Sequence, residues 1–410
     1  MNVADPSRNP APDTLDRELA ELDGEVRERL ARHGFDAPRL LALARTLLPS
    51  PGSDAASDRA RLRREGRNRV RGVVRPLPKD AILETKVEGD PDHARVRALG
   101  EDALRRGEVA LCVLAGGMAT RMGGVVKALV EVIDGRHFLD LRLAENRMLR
   151  ATYGKPVPLW LMTSDATDEP IEEVLRSRPD VASVRTFVQD LSLRLTPDGA
   201  LFRGPDGKPS VYAPGHGDLP DALRRSGHLA RFRANGGRYV WIANLDNLGA
   251  TIDPVVLGQF IERDAELMVE VVDKVQGDRG GIPVDVDGRT QVLEEYRLPT
   301  GFDAASVRVF NTNTFLVRAD ALESVKVDWQ WFEVEKTVDG RPTIQFERLL
   351  QELTSTLRTV TIRVPRTGPE SRFLPVKDRE ELDRRRAEIL AVARTRGMLE
   401  RHANSAQSQG

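Results

Sequence analysis

Between residues 109 and 127 the chain reads Val-Ala-Leu-Cys-Val-Leu-Ala-Gly-Gly-Met-Ala-Thr-Arg-Met-Gly-Gly-Val-Val-Lys. Its second half has what triphosphate binding requires. The backbone of Gly116 and Gly117 can approach phosphate oxygens closely and turn N–H groups toward them, while Arg121 and Lys127 add positive charge. The spacing is neither Gly-x-x-x-x-Gly-Lys-Ser/Thr nor Gly-x-Gly-x-x-Gly. A Gly-Gly pair alone serves equally well as a tight turn after a strand.

Further along, Gln189 carries an amide able to read a base edge, and His216 sits between Gly215 and Gly217, where an imidazole can donate to a phosphate or hydroxyl. Asp246 lies between Asn244 and Asn247. A carboxylate in that setting suits Mg²⁺: a hard oxygen, one charge, and room for water and phosphate oxygens. Asn311 and Asn313 interrupt an apolar strand and share one face by the two-residue period, so both can reach one polyol. Lys377 follows the extended segment Arg372-Phe-Leu-Pro-Val. Taken singly, Gln189 and His216 read as a surface amide and a turn histidine, whereas for Asp246 the strand-end position and the neighbouring glycine favour function over a plain Asn-rich turn. Together they supply phosphate-binding backbone, two lysines, a metal carboxylate and amides for sugar hydroxyls, with neither a Ser-His-Asp arrangement nor a Cys/His cluster. That inventory suits phosphoryl or nucleotidyl transfer, which needs positioning and charge neutralisation more than a nucleophilic side chain.

These residues follow a regular rhythm of elements. Strands are expected at 109–115, 157–163, 183–188, 238–243, 267–272, 307–317 and 359–364, with helices at 137–150, 169–176, 218–234, 254–263 and 345–357. The alternation predicts a three-layer α/β/α nucleotidyltransferase-type (Rossmann-like) domain around a mainly parallel mixed sheet, with ligands at the carboxyl ends of the strands. The division expected is a helical N-terminal region with a disordered start at 1–107, a catalytic domain at 108–385, and a C-terminal helix with a disordered tail at 386–410. Leu15, Leu19, Leu22, Val26 and Leu30 form one apolar helical stripe, and Asp36 caps a second helix. The stripe is expected to pack on the catalytic domain within a monomer. The arginine-dense run at 59–75 lacks interleaved aromatics for base stacking and reads as a solvated helix face or a clamp on the catalytic domain.

With 410 residues, 40% hydrophobic content and a net charge of −1, the chain can build a sizeable core and has no global electrostatic case for nucleic acid or an anionic membrane. Its single cysteine, Cys112, has no disulfide partner, no apolar run approaches the ~20 residues that span a bilayer, and the first residues form no signal core. A cytoplasmic protein is expected.

The motifs Leu114-Ala-Gly-Gly-Met-Ala-Thr-Arg-Met-Gly123, Phe138-Leu-Asp-Leu141, Pro214-Gly-His-Gly-Asp218, Asn244-Leu-Asp-Asn-Leu-Gly-Ala-Thr251, Phe310-Asn-Thr-Asn313 and Ser371-Arg-Phe-Leu-Pro-Val-Lys377 occur in this order. In this the chain resembles the UTP–glucose-1-phosphate uridylyltransferase family of the eukaryotic type. The resemblance implies UTP and glucose 1-phosphate as substrates, Mg²⁺ as cofactor, and UDP-glucose and pyrophosphate as products. It places the nucleotide loop on Leu114, Ala115, Gly116 and Gly117, the uracil-facing glutamine on Gln189, and the Gly-His of the substrate motif on Gly215 and His216. The metal aspartate falls on Asp246 beside Asn244, the sugar contacts on Gly281, Glu294, Asn311 and Asn313, and the phosphate-binding lysines on Lys127 and Lys377. Some segments depart from the family. Its Gly-Leu-Gly-Thr is here Met118-Ala-Thr, its Gly-Pro-Lys is Val125-Val-Lys127, and its Gln-Leu-Glu-Thr-Ala is Gln345-Phe-Glu-Arg-Leu349. The family's C-terminal β-helix is expected to be absent. Two alternatives stay open: the same chemistry on galactose or N-acetylhexosamine 1-phosphate, and a non-catalytic nucleotide-sugar binder.

Overall fold

The computed structural model describes residues 10–47, 65–119 and 122–399. At its centre is an eight-stranded sheet in the order Ile82–Glu84, Thr359–Arg363, Leu267–Asp273, Val309–Arg318, Tyr239–Asn244, Val109–Leu114, Leu159–Thr163 and Val184–Val188. Only Val309–Arg318 runs antiparallel to its neighbours. The strands Val109–Leu114 and Leu159–Thr163 are apolar and almost wholly buried, as strands covered on both faces must be. Cys112 lies completely buried at the middle of the first of them. Helices cover the sheet, and two of them, His93–Arg106 and Pro254–Arg263, cross backbone to backbone at Gly100 and Gly258. A Cβ at Gly100 would land on the Pro254 carbonyl, and one at Gly258 on that of Val96.

Five observations correct the expected elements. The boundary at residue 107 does not divide the N-terminal region from the central sheet: Ile82–Glu84 joins that sheet and Val74–Pro76 pairs with Ile282–Val286. Three-residue strands are too short to show alternation. The expected first helix is two, Pro10–Ala20 and Gly24–Arg32, because the Asp23 side chain accepts the Glu25 N–H and starts a new helix. The helix expected at 218–234 is also two, Leu219–Ser226 and His228–Ala234, parted by Gly227 at φ +70°. Residues 345–357 are no helix: Arg341–Glu347 pairs as a strand with Phe332–Val338, and a 3₁₀ turn, Leu350–Ser355, follows. Asp339 and Gly340, both at positive φ, make the tight turn of that hairpin. Finally, the helix Arg386–Thr395 is part of the main core, burying Ile389, Val392 and Ala393. The expected disordered start and tail fall largely outside the described residues.

The N-terminal stripe is covered within the chain. Leu15, Leu22, Leu30 and Leu40 form a second core with Leu191, Leu193, Leu195, Leu201, Ile344 and Phe346. Asp36 caps its helix as expected, accepting the Arg39 N–H at 2.9 Å. Of the arginine-dense run, residues 59–64 lie outside the described residues. Its later part is fastened to the body of the fold, with the Val70 N–H on the Arg297 carbonyl at 2.8 Å and Arg67 over the Phe346 ring.

Candidate active site

The strand Val109–Leu114 ends at the glycine loop, and after Gly117 the chain makes a small hairpin, Met118–Ala119 against Val125–Val126. The Lys127 N–H returns to the Gly117 carbonyl at 3.1 Å. This fold-back carries the Lys127 ammonium onto the carboxylate of Asp246, in the turn after the neighbouring strand Tyr239–Asn244. Both side chains are less than one-fifth exposed, 17% and 19%. On the other side, a Cβ at Gly116 would sit 3.4 Å from the amide of Gln189, which is itself buried. The geometry therefore brings together Leu114, Ala115, Gly116, Gly117, Lys127, Asp246 and Gln189. Arg121 lies outside the described residues.

The Pro214–Asp218 loop is laid on the backbone of Arg348. The Arg348 N–H reaches the Pro214 carbonyl at 2.8 Å, and the Gly217 N–H reaches the Arg348 carbonyl at 3.1 Å. Gly215 has φ +106°, and a Cβ there would meet the same carbonyl at 2.8 Å, so only glycine fits. His216 Nδ1 accepts the Leu350 N–H at 2.9 Å, which leaves the ring proton on Nε2. Burial pushes its pKa down to about 4, so the ring is a neutral donor near pH 7. Asp218 does not cap the following helix with its side chain. Its carboxylate is taken by the Arg348 guanidinium at 2.6 Å instead, and burial raises it to about 7.

The residues read as sugar contacts also converge. The Asn311 N–H donates to the Gly281 carbonyl at 2.8 Å, and Glu294 Oε1 lies 3.3 Å from where a Cβ of Gly281 would stand. Gln351 Nε2 donates to that same Glu294 oxygen at 2.6 Å, while burial raises the Glu294 carboxyl above its usual range. Asn313 Nδ2 donates to Asn244 Oδ1 at 2.8 Å, joining the sugar side to the Asp246 turn. The two asparagines are not on a regular strand face. Asn313 is left-handed at φ +59°, and the register against Leu267–Asp273 slips between Val269 and Val271, so a bulge aims them.

Lys377 stands apart. Its side chain is exposed, and Nζ has no hydrogen-bond or ion-pair partner among the described residues. Its backbone N–H is held by Glu381 at 2.8 Å. Burial works to raise Asp278, yet the Arg366 hydrogen bond and the charges of Arg366 and Lys377 hold that carboxyl below its usual range.

The family model described as UTP–glucose-1-phosphate uridylyltransferase matches residues 65–406. The chain belongs to this family. A uridylyltransferase of that name from Pyrus pyrifolia is 34% identical over 285 residues, covering 66% of this chain and 60% of the relative. The chain thus spans about 60% of the length of the curated relatives it matches. In fold it is similar to UDP-glucose pyrophosphorylase from Leishmania major, with a TM-score of 0.66 at 22% identity, covering 92% of this chain and 79% of that one. It is likewise similar to the UDP-N-acetylglucosamine pyrophosphorylase of Trypanosoma brucei, with a TM-score of 0.64 at 20% identity, covering 90% and 84%.

In this uridylyltransferase-family chain, three residues with no sequence-based role hold the Asp246 turn from beneath. Arg142, fully buried, donates to the carbonyls of Asn244 at 3.0 Å, Asn247 at 2.6 Å and Ala250 at 3.1 Å, and pairs with Glu145 at 2.8 Å. Arg372, also buried, makes a two-bond pair with Glu270 at 2.7 and 3.0 Å and donates to the Thr251 carbonyl at 2.7 Å. Asn247 clasps the segment leading to Lys377, donating to the Arg372 carbonyl at 3.1 Å and accepting the Leu374 N–H at 2.7 Å. One signal was available: Arg142 and Glu145 interrupt the apolar face of the helix Phe138–Tyr153 one turn apart.

Proposed function

We propose that the chain is a uridylyltransferase that forms UDP-glucose and pyrophosphate from UTP and glucose 1-phosphate. The observation that carries this reading is the Lys127–Asp246 pair folded against the Gly116–Gly117 backbone, with Gln189 packed beside it. A phosphate oxygen of glucose 1-phosphate attacks the UTP α-phosphorus in line, the bond to the β-phosphate oxygen breaks, and pyrophosphate leaves. No general base is needed, because the attacking phosphate is already anionic near pH 7. Glycine N–H groups and Lys127 hold the triphosphate, Lys377 meets the charge that builds on the transferring phosphate, and neutral His216 donates from Nε2. Gly281, Glu294, Asn311 and Asn313 hold the sugar hydroxyls.

Mg²⁺ fits this donor set. Asp246 already faces a cation, the ammonium of Lys127. Among the described residues no cluster of three acidic, histidine or cysteine side chains could hold a metal alone. A magnesium ion keeping water and phosphate oxygens as its remaining ligands suits a single carboxylate. When bound, it would neutralise charge on the phosphates.

The same chemistry on another sugar phosphate, galactose or N-acetylhexosamine 1-phosphate, draws support from the fold shared with an N-acetylglucosamine enzyme. A non-catalytic binder is the remaining alternative. Pyrophosphate release from UTP with a panel of sugar 1-phosphates separates all three, and the expected result is fastest release with glucose 1-phosphate. Further parts of the proposal are a monomer, supported by the covered N-terminal stripe, and a cytoplasmic setting, supported by the buried thiol of Cys112. Among the described residues no helix is long and apolar enough to cross a membrane. The net charge of −1 supports small-molecule partners over nucleic acid.

A further inference from the structure

The guanidinium of Arg348 is almost fully buried and binds three carboxylates: Asp190 at 2.6 Å through Nη2, Asp218 at 2.6 Å through Nε, and Asp221 at 2.7 Å through Nη1. The rings of Trp329 and Trp331 lie 5.1 Å from its centre. Burying so many charges is costly, and such ion groups rarely add net stability over an apolar replacement. What this group does is fix geometry. Asp190 directly follows Gln189, whose amide packs against Gly116, and Asp218 belongs to the Gly215–His216 loop. The backbone of Arg348 holds that same loop through Pro214 and Gly217, and the next but one N–H, of Leu350, sets the His216 tautomer.

We infer that Arg348 is a positioning residue for base recognition, locking the Gln189 strand end and the Gly215–His216 loop at a fixed separation through Asp190 and Asp218. The inference rests on the reading of Gln189 as the residue that faces uracil. Uracil presents N3–H as donor and O4 as acceptor where cytosine presents N3 as acceptor and its 4-amino group as donor, so an amide tells them apart only when it is held in one orientation. That discrimination survives only if the amide is held to within a fraction of a hydrogen-bond length. A lysine at 348 keeps the charge but cannot fork to three carboxylates.

The test is the ratio of UTP to CTP affinity, measured by titration calorimetry with Mg²⁺ present. Both nucleotides are titrated into one preparation, so a partly unfolded fraction cancels from the ratio. Arg348→Lys is expected to lower the ratio about tenfold, mainly by weakening UTP. Asp218→Asn keeps the shape of the side chain but removes the charge that Arg348 Nε grips, weakening one of the two links, and is expected to lower the ratio about threefold. If Arg348→Lys fails to fold, Asp218→Asn decides. Unchanged ratios in the folded variants, with lowered melting temperatures, would make Arg348 a stabiliser only and overturn the inference. So would a wild type with no preference for UTP. A wild type that prefers UTP but releases no pyrophosphate with any sugar phosphate would instead overturn the uridylyl-transfer reading and leave this one standing.

Discussion

The two lysines read as phosphate contacts stand on different ground. Lys127 is four-fifths buried, paired with Asp246, and the Asp246 turn rests on Arg142 and Arg372 with their buried partners. Lys377 ends an extended segment with its ammonium in water. The first region has its positions fixed before any ligand arrives, so binding there loses little side-chain entropy. The second keeps its charge solvated and must be ordered by what it binds. In the proposed reaction, such a site would hold the triphosphate on the fixed region and meet the second substrate with the solvated lysine.

The largest effect should come from the fixed region. Asp246→Asn is expected to lower kcat/KM about 10³-fold and to remove its dependence on Mg²⁺, since an amide lacks the charge that holds a hard cation. Activity that still rises with Mg²⁺ in this variant would break the assignment. Lys377→Ala should cost about 10²–10³ in kcat/KM while the thermal melting curve stays that of the wild type, because nothing buried is disturbed. A variant that keeps more than about half its kcat/KM would remove Lys377 from the transfer step.

Asn247 joins the two regions, so it tests whether they work as one. Asn247→Ala leaves the Arg372 carbonyl and the Leu374 N–H unsatisfied in a buried setting, at a cost of about 1–3 kcal/mol in urea unfolding. Activity should fall about tenfold as the Lys377 segment loses its anchor. A loss of stability with full activity would show that the segment finds its place without the clasp.

The smallest effect concerns His216. Its folded pKa of about 4 lies below the ordinary 6.5, so the unfolded chain takes up the proton first as pH falls. The stability this contributes is present in full above pH 6.5 and is lost as pH drops toward 4. The melting temperature of the wild type should therefore fall more over that interval than that of His216→Gln, whose amide can still accept the Leu350 N–H. Parallel curves would mean the ring is solvated and charges freely.

Much of the fold was legible because buried parallel strands are apolar runs, and the chemistry sits where each run stops. The central strand expected at 109–115 is found as Val109–Leu114, and that at 359–364 as Thr359–Arg363. The misread helix at 345–357 had an available warning in Asp339-Gly340, a dipeptide that makes hairpin turns. Phe346, Leu350 and Leu353 share helical spacing by coincidence, since the first belongs to a strand and the others to a 3₁₀ turn. In the candidate site, residues next to glycine or at strand ends could be read. Arg348 and Arg372 could not, because their partners are distant in sequence: Arg348 meets Asp218 across 130 residues, and Arg372 meets Glu270 across 102. The bulge at Asn313 was also hidden, because alternation alone does not reveal an added residue.

Cys112 gives the molecule a built-in clock. Its sulfur is fully enclosed in the central strand Val109–Leu114, paired on both sides by other strands, and burial pushes the thiol well above the pH range in which it ionises in water. A thiol-reactive dye can therefore reach it only when the sheet itself parts. With one cysteine in the chain, each labelled molecule counts one opening of that sheet. At high dye concentration the labelling rate becomes the opening rate itself; at low concentration, where reclosing outpaces labelling, it follows the free energy of opening, and slowing by a bound nucleotide would measure how far binding stabilises the closed sheet.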